Sequence, residues 1–251
     1  MQRRLRTMWT VICVLVLIAG ICIMAYPHVR GAVMDWQASQ TAEEFLSRVV
    51  LAPYQEKEAD NIIATVERTT EPVREYAELW GDMTAYNETI YFEQQSSLCS
   101  VDSYKRFDFT LADYGLEDEI FGVVTIPAID VNMPIYLGAN SENMAVGTAV
   151  MSQTSLPIGG ENTNAVICGH RGWKGAAYFL HIDELKVGDV VMITNLWEEL
   201  HYEVVGTKII SPHDVDAIKI QEGKDMITLL SCHPVASGGK QRYLVFCERV
   251  A

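Results

Sequence analysis

The pattern of apolar and polar residues divides the chain into an apolar segment, a helix-patterned region and a β-patterned region, in that order. Residues 9–26 (WTVICVLVLIAGICIMAY) contain no charged side chain. A helix rises about 1.5 Å per residue, so about 20 apolar residues cross the hydrocarbon core of a bilayer. We therefore predict a membrane-spanning helix over 9–26, ended by Pro27.

The residues around this segment predict its orientation. Arg3, Arg4 and Arg6 precede it, and no acidic residue occurs before Pro27. Basic flanks favour the cytoplasmic side, so residues 1–8 are expected inside the cell and the rest of the chain outside. A cleaved signal peptide also begins with basic residues, but its apolar region is usually about 7–15 residues long, and no clear cleavage site follows here. We favour a retained, single-pass anchor in the cell membrane.

Residues 27–110 have mainly helical character. Apolar residues recur at steps of three and four among charges, which is typical of amphipathic helices. Helices are predicted at 35–50, at 54–68 beyond Pro53, and from Pro72 to about Ile90. Residues 91–110 fit neither the helical nor the strand period and are predicted to form a long loop. Loops of that length are often lids over a site.

From Phe121 onward, short β-rich runs alternate with turn residues. The predicted strands are 121–126, 132–136, 146–150, 164–169, 189–194, 200–210, 225–232 and 242–249. Eight such runs favour an all-β barrel or sandwich, which we assign to residues 111–251. Short helices are predicted at 141–145 and 174–185, and Pro134 indicates an edge or bulged strand.

The net charge and the spacing of the cysteines argue against several classes of function. The formal net charge is −14, and beyond residue 26 there are 16 basic residues (19 less the three arginines) against 33 acidic ones. Such a surface repels phosphate backbones, which argues against nucleic acid as a partner. The six cysteines form no C-x-x-C pair, so neither a zinc site nor a disulfide scaffold is indicated.

Three reactive side chains lie at predicted strand ends. Cys232 closes one run, His170 follows the run A-V-I-C-G, and Arg242 opens the last strand. A thiol, an imidazole and a guanidinium at strand ends would suit a site at the rim of a barrel. A cysteine at a strand end is nevertheless most often a small buried residue.

The segments around these residues resemble a known family. C-G-H-R-G at His170, T-L-L-S-C at Cys232 and Q-R-Y-L-V at Arg242 resemble, in the same order, the three signature blocks of sortases. The resemblance extends over about residues 120–250. It implies a mainly β fold, an eight-stranded sortase-like barrel with short helices, preceded here by a helical region and a membrane helix.

Finer features resemble the class C, pilus-building sortases. They are T-S-L-P-I-G-G at 154–160, E-G-K-D at 222–225 and A-Y-N at 85–87. The chain departs from that class in three respects. It has no Asp-Pro-aromatic lid motif in 91–110 and no second membrane helix, and Ser231 replaces the usual threonine before the cysteine.

The resemblance implies a cysteine transpeptidase that needs no metal or organic cofactor. Cys232 would attack the threonine carbonyl of an L-P-x-T-G-like signal on a surface or pilin protein, and an amine would then resolve the thioester. His170 would transfer protons and Arg242 would stabilise the oxyanion. Ser231, Thr228 and Ser155 are also expected to contact the substrate.

Several alternatives remain open. The acceptor amine is expected to be a pilin lysine, but a housekeeping enzyme would use a cell-wall peptide instead. A non-catalytic anchored barrel, with Cys232 as a buried core thiol, is a third possibility. His233 is a weaker candidate base, because neighbouring strand residues point to opposite faces. Cys168 is expected in the core, and a disulfide with Cys232 stays open.

Overall fold

The computed structural model describes residues 2–49, 75–98, 107–116 and 119–250. Its helices are α1 (Gln2–Arg48), α2 (Ala77–Phe92) and α3 (Ser141–Val146). The strands are β1 (Ile120–Ile126), β2 (Val131–Leu137), β3 (Thr148–Val150), β4 (Thr163–Cys168), β5 (Arg171–Trp173), β6 (Ala176–Tyr178), β7 (Val190–Asn195), β8 (Glu199–Ile210), β9 (Asp225–His233) and β10 (Gln241–Arg249). The predicted helix at 54–68, the predicted helix start at Pro72 and residues 99–106 of the predicted loop lie outside the described residues.

Eight of the strands close into a barrel in the order β1-β2-β3-β4-β9-β10-β8-β7. All eight predicted runs are barrel strands, so the prediction of an eight-stranded barrel is confirmed. Two neighbouring pairs, β2 with β3 and β4 with β9, are parallel, and the other pairs are antiparallel. Closure gives every strand two hydrogen-bonded neighbours, which leaves no open sheet edge.

The strands alternate between two apolar environments. In β9 and β10, the side chains of Ile227, Leu229 and Val245 belong to the large cluster that fills the barrel. Leu230 and Leu244 belong to a second cluster on the opposite face. Residues outside the barrel cover that second face, among them Leu98, Met144 and Ile218. Because side chains alternate along a strand, Cys232 and Arg242 lie on the same face as this second cluster.

The prediction that Pro134 marks an edge strand is wrong, because β2 lies between β1 and β3 in the closed barrel. Proline has no N–H to donate, and the parallel ladder with β3 begins only at the next residue, Ile135. The carbonyl of Pro134 accepts a hydrogen bond from the Thr148 hydroxyl at 2.8 Å. A register irregularity does occur in this strand pair, at Phe121 of β1.

The helix predicted at 141–145 is confirmed by α3, but the helix predicted at 174–185 is wrong. Most of that segment forms the hairpin β5–β6 and its continuation, followed by a single 3₁₀ turn at Ile182–Glu184. Lys174 and Gly175 at the hairpin tip both have positive φ, which a right-handed helix does not accommodate. The hairpin directly follows His170.

Helix α1 also departs from the prediction, because it continues without interruption through Pro27 to Arg48. Its apolar part is long and apolar enough to cross a membrane, with a mean hydropathy of 2.7 over an 18-residue window that is not buried against the rest of the protein. Beyond Pro27, the buried residues Gly31, Ala38, Ala42 and Phe45 recur at helical spacing and face the barrel. Burial of this second apolar stripe against the barrel stabilises the helix beyond Pro27.

Helix α2 is docked on the barrel through the A-Y-N motif. The buried amide of Asn87 donates to the Leu156 carbonyl at 3.2 Å and accepts from the Leu156 N–H at 2.7 Å. The hydroxyl of Tyr86 accepts from the N–H of Gln153 at 2.9 Å. These bonds satisfy backbone groups in the loop that leads into β4, so the motif joins α2 to the T-S-L-P-I-G-G segment.

We expect Asn87→Ala to lower the free energy of unfolding by about 2 kcal/mol, because it leaves the buried N–H of Leu156 without its partner and removes one of two hydrogen bonds to the Leu156 C=O, which also accepts from the Ile158 N–H. Denaturant unfolding of the detergent-solubilised protein measures the change. Glu88→Ala, on the exposed side of the same helix turn, is the matched control and should have little effect. Equal stability of the two variants would contradict the docking role of Asn87.

Candidate active site

Cys232 and Arg242 face each other across the β9–β10 ladder, in which they are directly paired. Residues opposite each other in an antiparallel pair have their Cβ atoms about 4.5–5.5 Å apart on the same face. Cys232 is partly exposed and the arginine is buried. Arg242 Nη1 donates to the carbonyl of Gly239 at 2.6 Å and to that of Gln241 at 3.1 Å. These bonds hold the guanidinium beside the thiol.

The turn that connects β9 to β10 packs closely on both side chains. Gly239 has φ of +78°, in the region that favours glycine. A Cβ on Gly239 would lie 2.9 Å from Arg242 Nη1 and 3.4 Å from the Cys232 sulfur. A side chain at this position would therefore displace the guanidinium, so glycine is needed both for the turn and for the site.

His170 is brought to the same rim by the parallel pairing of β4 with β9. Cys168 is in register with Leu230, and the next residue continues the ladder, since the Gly169 N–H donates to the Leu230 carbonyl at 3.0 Å. The Ser231 hydroxyl donates to the Gly169 carbonyl at 2.7 Å. One further step along each strand leads to His170 and Cys232, so the two residues leave neighbouring strands at the same level.

The imidazole of His170 lies against an aromatic ring. Its centroid is 4.3 Å from that of Trp173, and the two rings are almost parallel, at 9°. The Lys174 ammonium lies 4.8 Å from the centroid of the Trp173 ring. Burial lowers the pKa of His170 below its ordinary value of 6.5. The neutral imidazole, which can accept a proton, is therefore the main form at pH 7.

His233 follows Cys232 but lies in a different environment. Its Nδ1 is 2.7 Å from Nη1 of Arg171, and its ring is 5.8 Å from that of Tyr243. The buried guanidinium of Arg171 also forms an ion pair with Asp183. This network binds the start of β5 to the end of β9. His233 is therefore engaged on the face opposite Cys232, which agrees with its low ranking as a base.

Arg171 and Trp173 were missed as site-forming residues by sequence reasoning. Arg171 is the arginine of C-G-H-R-G, so a charged residue within a signature block was the available signal. Trp173 had no such signal, because its stacking on His170 depends on the hairpin conformation.

We expected three hydroxyl groups to contact the substrate. In the structure, each of them forms a hydrogen bond within the protein. The side chains of Ser231, Thr228 and Ser155 are all buried. Ser231 donates to Gly169, Thr228 donates to the Asn164 side chain at 2.9 Å, and Ser155 accepts from the Asn164 N–H at 2.9 Å. Direct substrate contact would require these bonds to be broken. We assign the three residues to the support of the barrel wall.

The other described cysteines of the barrel differ from Cys232. Cys247 lies inside the barrel, where burial raises the pKa of its thiol to about 12. Cys168 is buried in the second cluster, and within the described residues no disulfide joins it to Cys232. Cys232 is the partly exposed thiol of this set and the one paired with an arginine.

The described part of the predicted loop packs on neighbouring aromatic residues. Tyr91 and Phe92 belong to α2 rather than to a loop. The ring of Phe107 lies 5.4 Å from that of Tyr86, and the ring of Phe109 lies 6.1 Å from that of Tyr114. A lid function for this segment stays a prediction.

Comparison with known proteins identifies the family. The Sortase family model, described as the sortase domain, matches residues 124–250, about half of the chain. Sortase D of Bacillus subtilis is 30% identical over 131 residues, which cover 51% of this chain and 63% of that protein. The match thus spans less than two thirds of that relative's length.

Solved structures agree with this assignment. Sortase C1 of the group B Streptococcus pilus island 1 has a TM-score of 0.63 at 32% identity, covering 70% of this chain and 89% of that chain. Sortase C of Clostridium perfringens, solved with the C-terminal cell wall sorting motif, has a TM-score of 0.59 at 32% identity and the same two coverages. The family model, the relatives and the closed barrel with its three signature blocks lead to one conclusion: this chain belongs to the sortase family.

Proposed function

We propose that the chain is a membrane-anchored cysteine transpeptidase, in which Cys232, His170 and Arg242 are the catalytic residues. The observation that carries this proposal is the cross-strand pair of Cys232 and Arg242, with His170 leaving the adjacent parallel strand at the same level. The substrate would be an L-P-x-T-G-like sorting signal on a surface or pilin protein. The first product would be a thioester between the signal's threonine and Cys232.

Arg242 supplies the charge that such a nucleophile requires. An unperturbed thiol has a pKa of about 8.5, so only a few per cent is thiolate at pH 7. A guanidinium is positively charged at every relevant pH, so it stabilises the negative charge that develops as the thiol proton leaves during attack. The bonds from Arg242 to Gly239 and Gln241 fix the orientation of that charge before substrate arrives. A fixed positive group also stabilises the oxyanion that forms during attack.

His170 moves the protons in the proposed cycle. The neutral imidazole takes the thiol proton as the sulfur attacks the threonine carbonyl, and gives it to the departing amine when the peptide C–N bond breaks. The incoming amine then attacks the thioester and passes a proton to the imidazole. As the C–S bond breaks, that proton returns to the sulfur. The lowered pKa of His170 suits a group that starts as a base.

The preferred acceptor is a lysine side chain of a pilin subunit, so that the product is a covalent polymer. This assignment is supported by the class C-like motifs and by the similarity to a sortase of a pilus island. The C. perfringens sortase C bound to a sorting motif supports the substrate class. The alternative acceptor is a cell-wall peptide amine.

Residues 9–26 of α1 serve as the membrane anchor in this proposal, with residues 1–8 in the cytoplasm and the barrel of residues 111–251 outside the cell. The length and hydropathy of α1 support the anchor. Arg3, Arg4 and Arg6 support the orientation, because basic residues are retained on the cytoplasmic side.

Cys232→Ala should abolish thioester formation with an L-P-x-T-G-like peptide, and Cys247→Ala should retain it, because Cys247 lies inside the barrel. Intact-protein mass spectrometry of the trapped acyl-enzyme measures both. A thioester on the Cys232→Ala protein would refute the assignment. Alkylation in the folded state tests the non-catalytic alternative, since a core thiol would resist labelling until denaturation.

The pKa of His170 measured by NMR titration should lie below 6.5. Trp173→Ala should raise it towards 6.5, because removal of the ring hydrates the imidazole. A histidine whose pKa is lowered on folding binds its proton more readily in the unfolded chain, so its contribution to stability falls as pH falls through about 6.5. Trp36→Ala, an exposed tryptophan on α1, is the control. A His170 pKa at or above 6.5 would contradict this account.

Incubation with a purified pilin that carries both its sorting signal and its acceptor lysine should give a ladder of covalent multimers on denaturing gels. Replacement of that lysine by arginine should remove the ladder but leave the thioester intact. The anchoring alternative is correct if the pilin without this lysine forms the ladder equally well, or if only a cell-wall peptide amine resolves the thioester.

A further inference from the structure

The extramembrane part of α1 holds the hairpin that follows the catalytic histidine. The Asp35 carboxylate accepts hydrogen bonds from the Ala177 N–H, at 3.0 Å and 2.9 Å to its two oxygens, and from the Tyr178 N–H at 3.5 Å. Ala177 and Tyr178 belong to β6. Hydrogen bonds that involve an ionised acceptor are among the stronger ones in proteins. A single side chain of the helix thus binds two successive backbone groups of the hairpin.

The same helix packs against the hairpin tip without intervening side chains. A Cβ added to Gly31 would overlap the carbonyl group of Gly175, and a Cβ added to Gly175 would overlap the Pro27 carbonyl. The two backbones therefore meet directly. Gly31 is one helical turn before Asp35, so both residues face the hairpin from the same side of α1.

The hairpin in turn fixes the position of His170. Tyr178 is paired with Arg171, and the next N–H, that of Phe179, donates to the His170 carbonyl at 3.0 Å. A Cβ on Gly169 would lie 2.7 Å from a ring atom of Phe179, so this ring also limits the backbone just before His170. Trp173 of β5 covers one face of the imidazole. Every one of these contacts belongs to the hairpin or its continuation.

Cys232 and Arg242 are held differently. Their relative position is set by the β9–β10 ladder and by the turn at Gly239. A change in the docking of α1 should therefore displace the imidazole and leave the thiol–guanidinium pair in place.

We propose that Asp35 is a positioning residue for His170, and that docking of α1 on the hairpin β5–β6 keeps the imidazole in its reactive place. Only the expected change in kcat rests on the proposed function. Its structural part, that α1 sets the environment of the His170 ring, holds whatever the substrate is. The membrane anchor is then part of the catalytic architecture.

The first test is Asp35→Asn in the full-length protein in detergent micelles, with an L-P-x-T-G-like peptide and an amine acceptor. A displacement of about 1 Å at a reacting group can reduce a rate on the order of 100-fold. We expect kcat to fall by about 10-fold or more and KM to change by less than about twofold, because the β9–β10 face is unchanged. Glu44→Gln removes one charge from the exposed face of α1 and should keep wild-type kcat.

A second variant excludes a loss of helix stability as the cause. Gly31→Ala raises intrinsic helix propensity yet forces α1 away from Gly175. Gly20→Ala raises helix propensity equally at a position with no neighbour within 4 Å. Gly31→Ala should reproduce the loss of kcat, and Gly20→Ala should not.

The structural readout is the NMR signal of the His170 ring protons, which the stacked Trp173 ring shifts upfield. Asp35→Asn and Gly31→Ala should move this signal downfield, and Glu44→Gln and Gly20→Ala should leave it unchanged. Folded Asp35→Asn and Gly31→Ala proteins with wild-type kcat and wild-type His170 signals would overturn the inference. If no peptide is cleaved by any variant but the signal moves as expected, the positioning role stands and the proposed function fails.

Discussion

Strands β4 and β9 run in the same direction although their paired residues are 62 positions apart in the sequence, and their parallel pairing brings Gly169 beside Ser231. His170 and Cys232 follow directly. The antiparallel ladder on the other side of β9 adds Arg242 opposite the thiol. One central strand thus carries the thiol and aligns both side chains that we propose act with it. If its register shifted by one residue, Cys232 would turn to the barrel interior and the site would be lost.

Other residues of the family-like segments support this pairing. Asp225, at the start of β9, accepts from the Gly160 N–H at 2.9 Å and from the Tyr202 hydroxyl at 3.0 Å. It thereby joins the E-G-K-D segment to the T-S-L-P-I-G-G segment. Asn164 connects Thr228 to the Ile218 carbonyl. These bonds fix the two strands at the end of the barrel away from Cys232.

The β strands and the membership of the family were predictable, because both are indicated by short stretches of local sequence. Strand runs have their own period, and the blocks around His170, Cys232 and Arg242 are short. Features that depend on distant parts of the chain were not predictable. Ser155 and Thr228 carry hydroxyl groups that are typical of substrate-contacting residues. The structure, however, buries Thr228 and pairs its hydroxyl with Asn164, more than 60 residues away. Residues 174–185 were predicted as a helix, but the first part of this segment belongs to the hairpin β5–β6, because Lys174 and Gly175 adopt positive φ.

The full length of helix α1 was also not predictable from local sequence. Pro27 indicated a helix end, yet the stripe from Gly31 to Phe45 packs on the barrel and continues the helix.

If residues 9–26 lie in the bilayer, the hairpin tip meets the helix at Pro27, one residue beyond the membrane segment. Phe45 is 18 residues further on, or about 27 Å along the axis, and packs beside Ile120. In that arrangement the hairpin that follows His170 meets α1 next to the membrane segment. A continuous helix works as a rigid spacer where a flexible tether would let the barrel tumble. On the proposed function, such a spacer would set the height at which a neighbouring membrane protein must present its cleavage site, so the distance of a signal from the lipid surface would become a criterion for selection alongside its sequence.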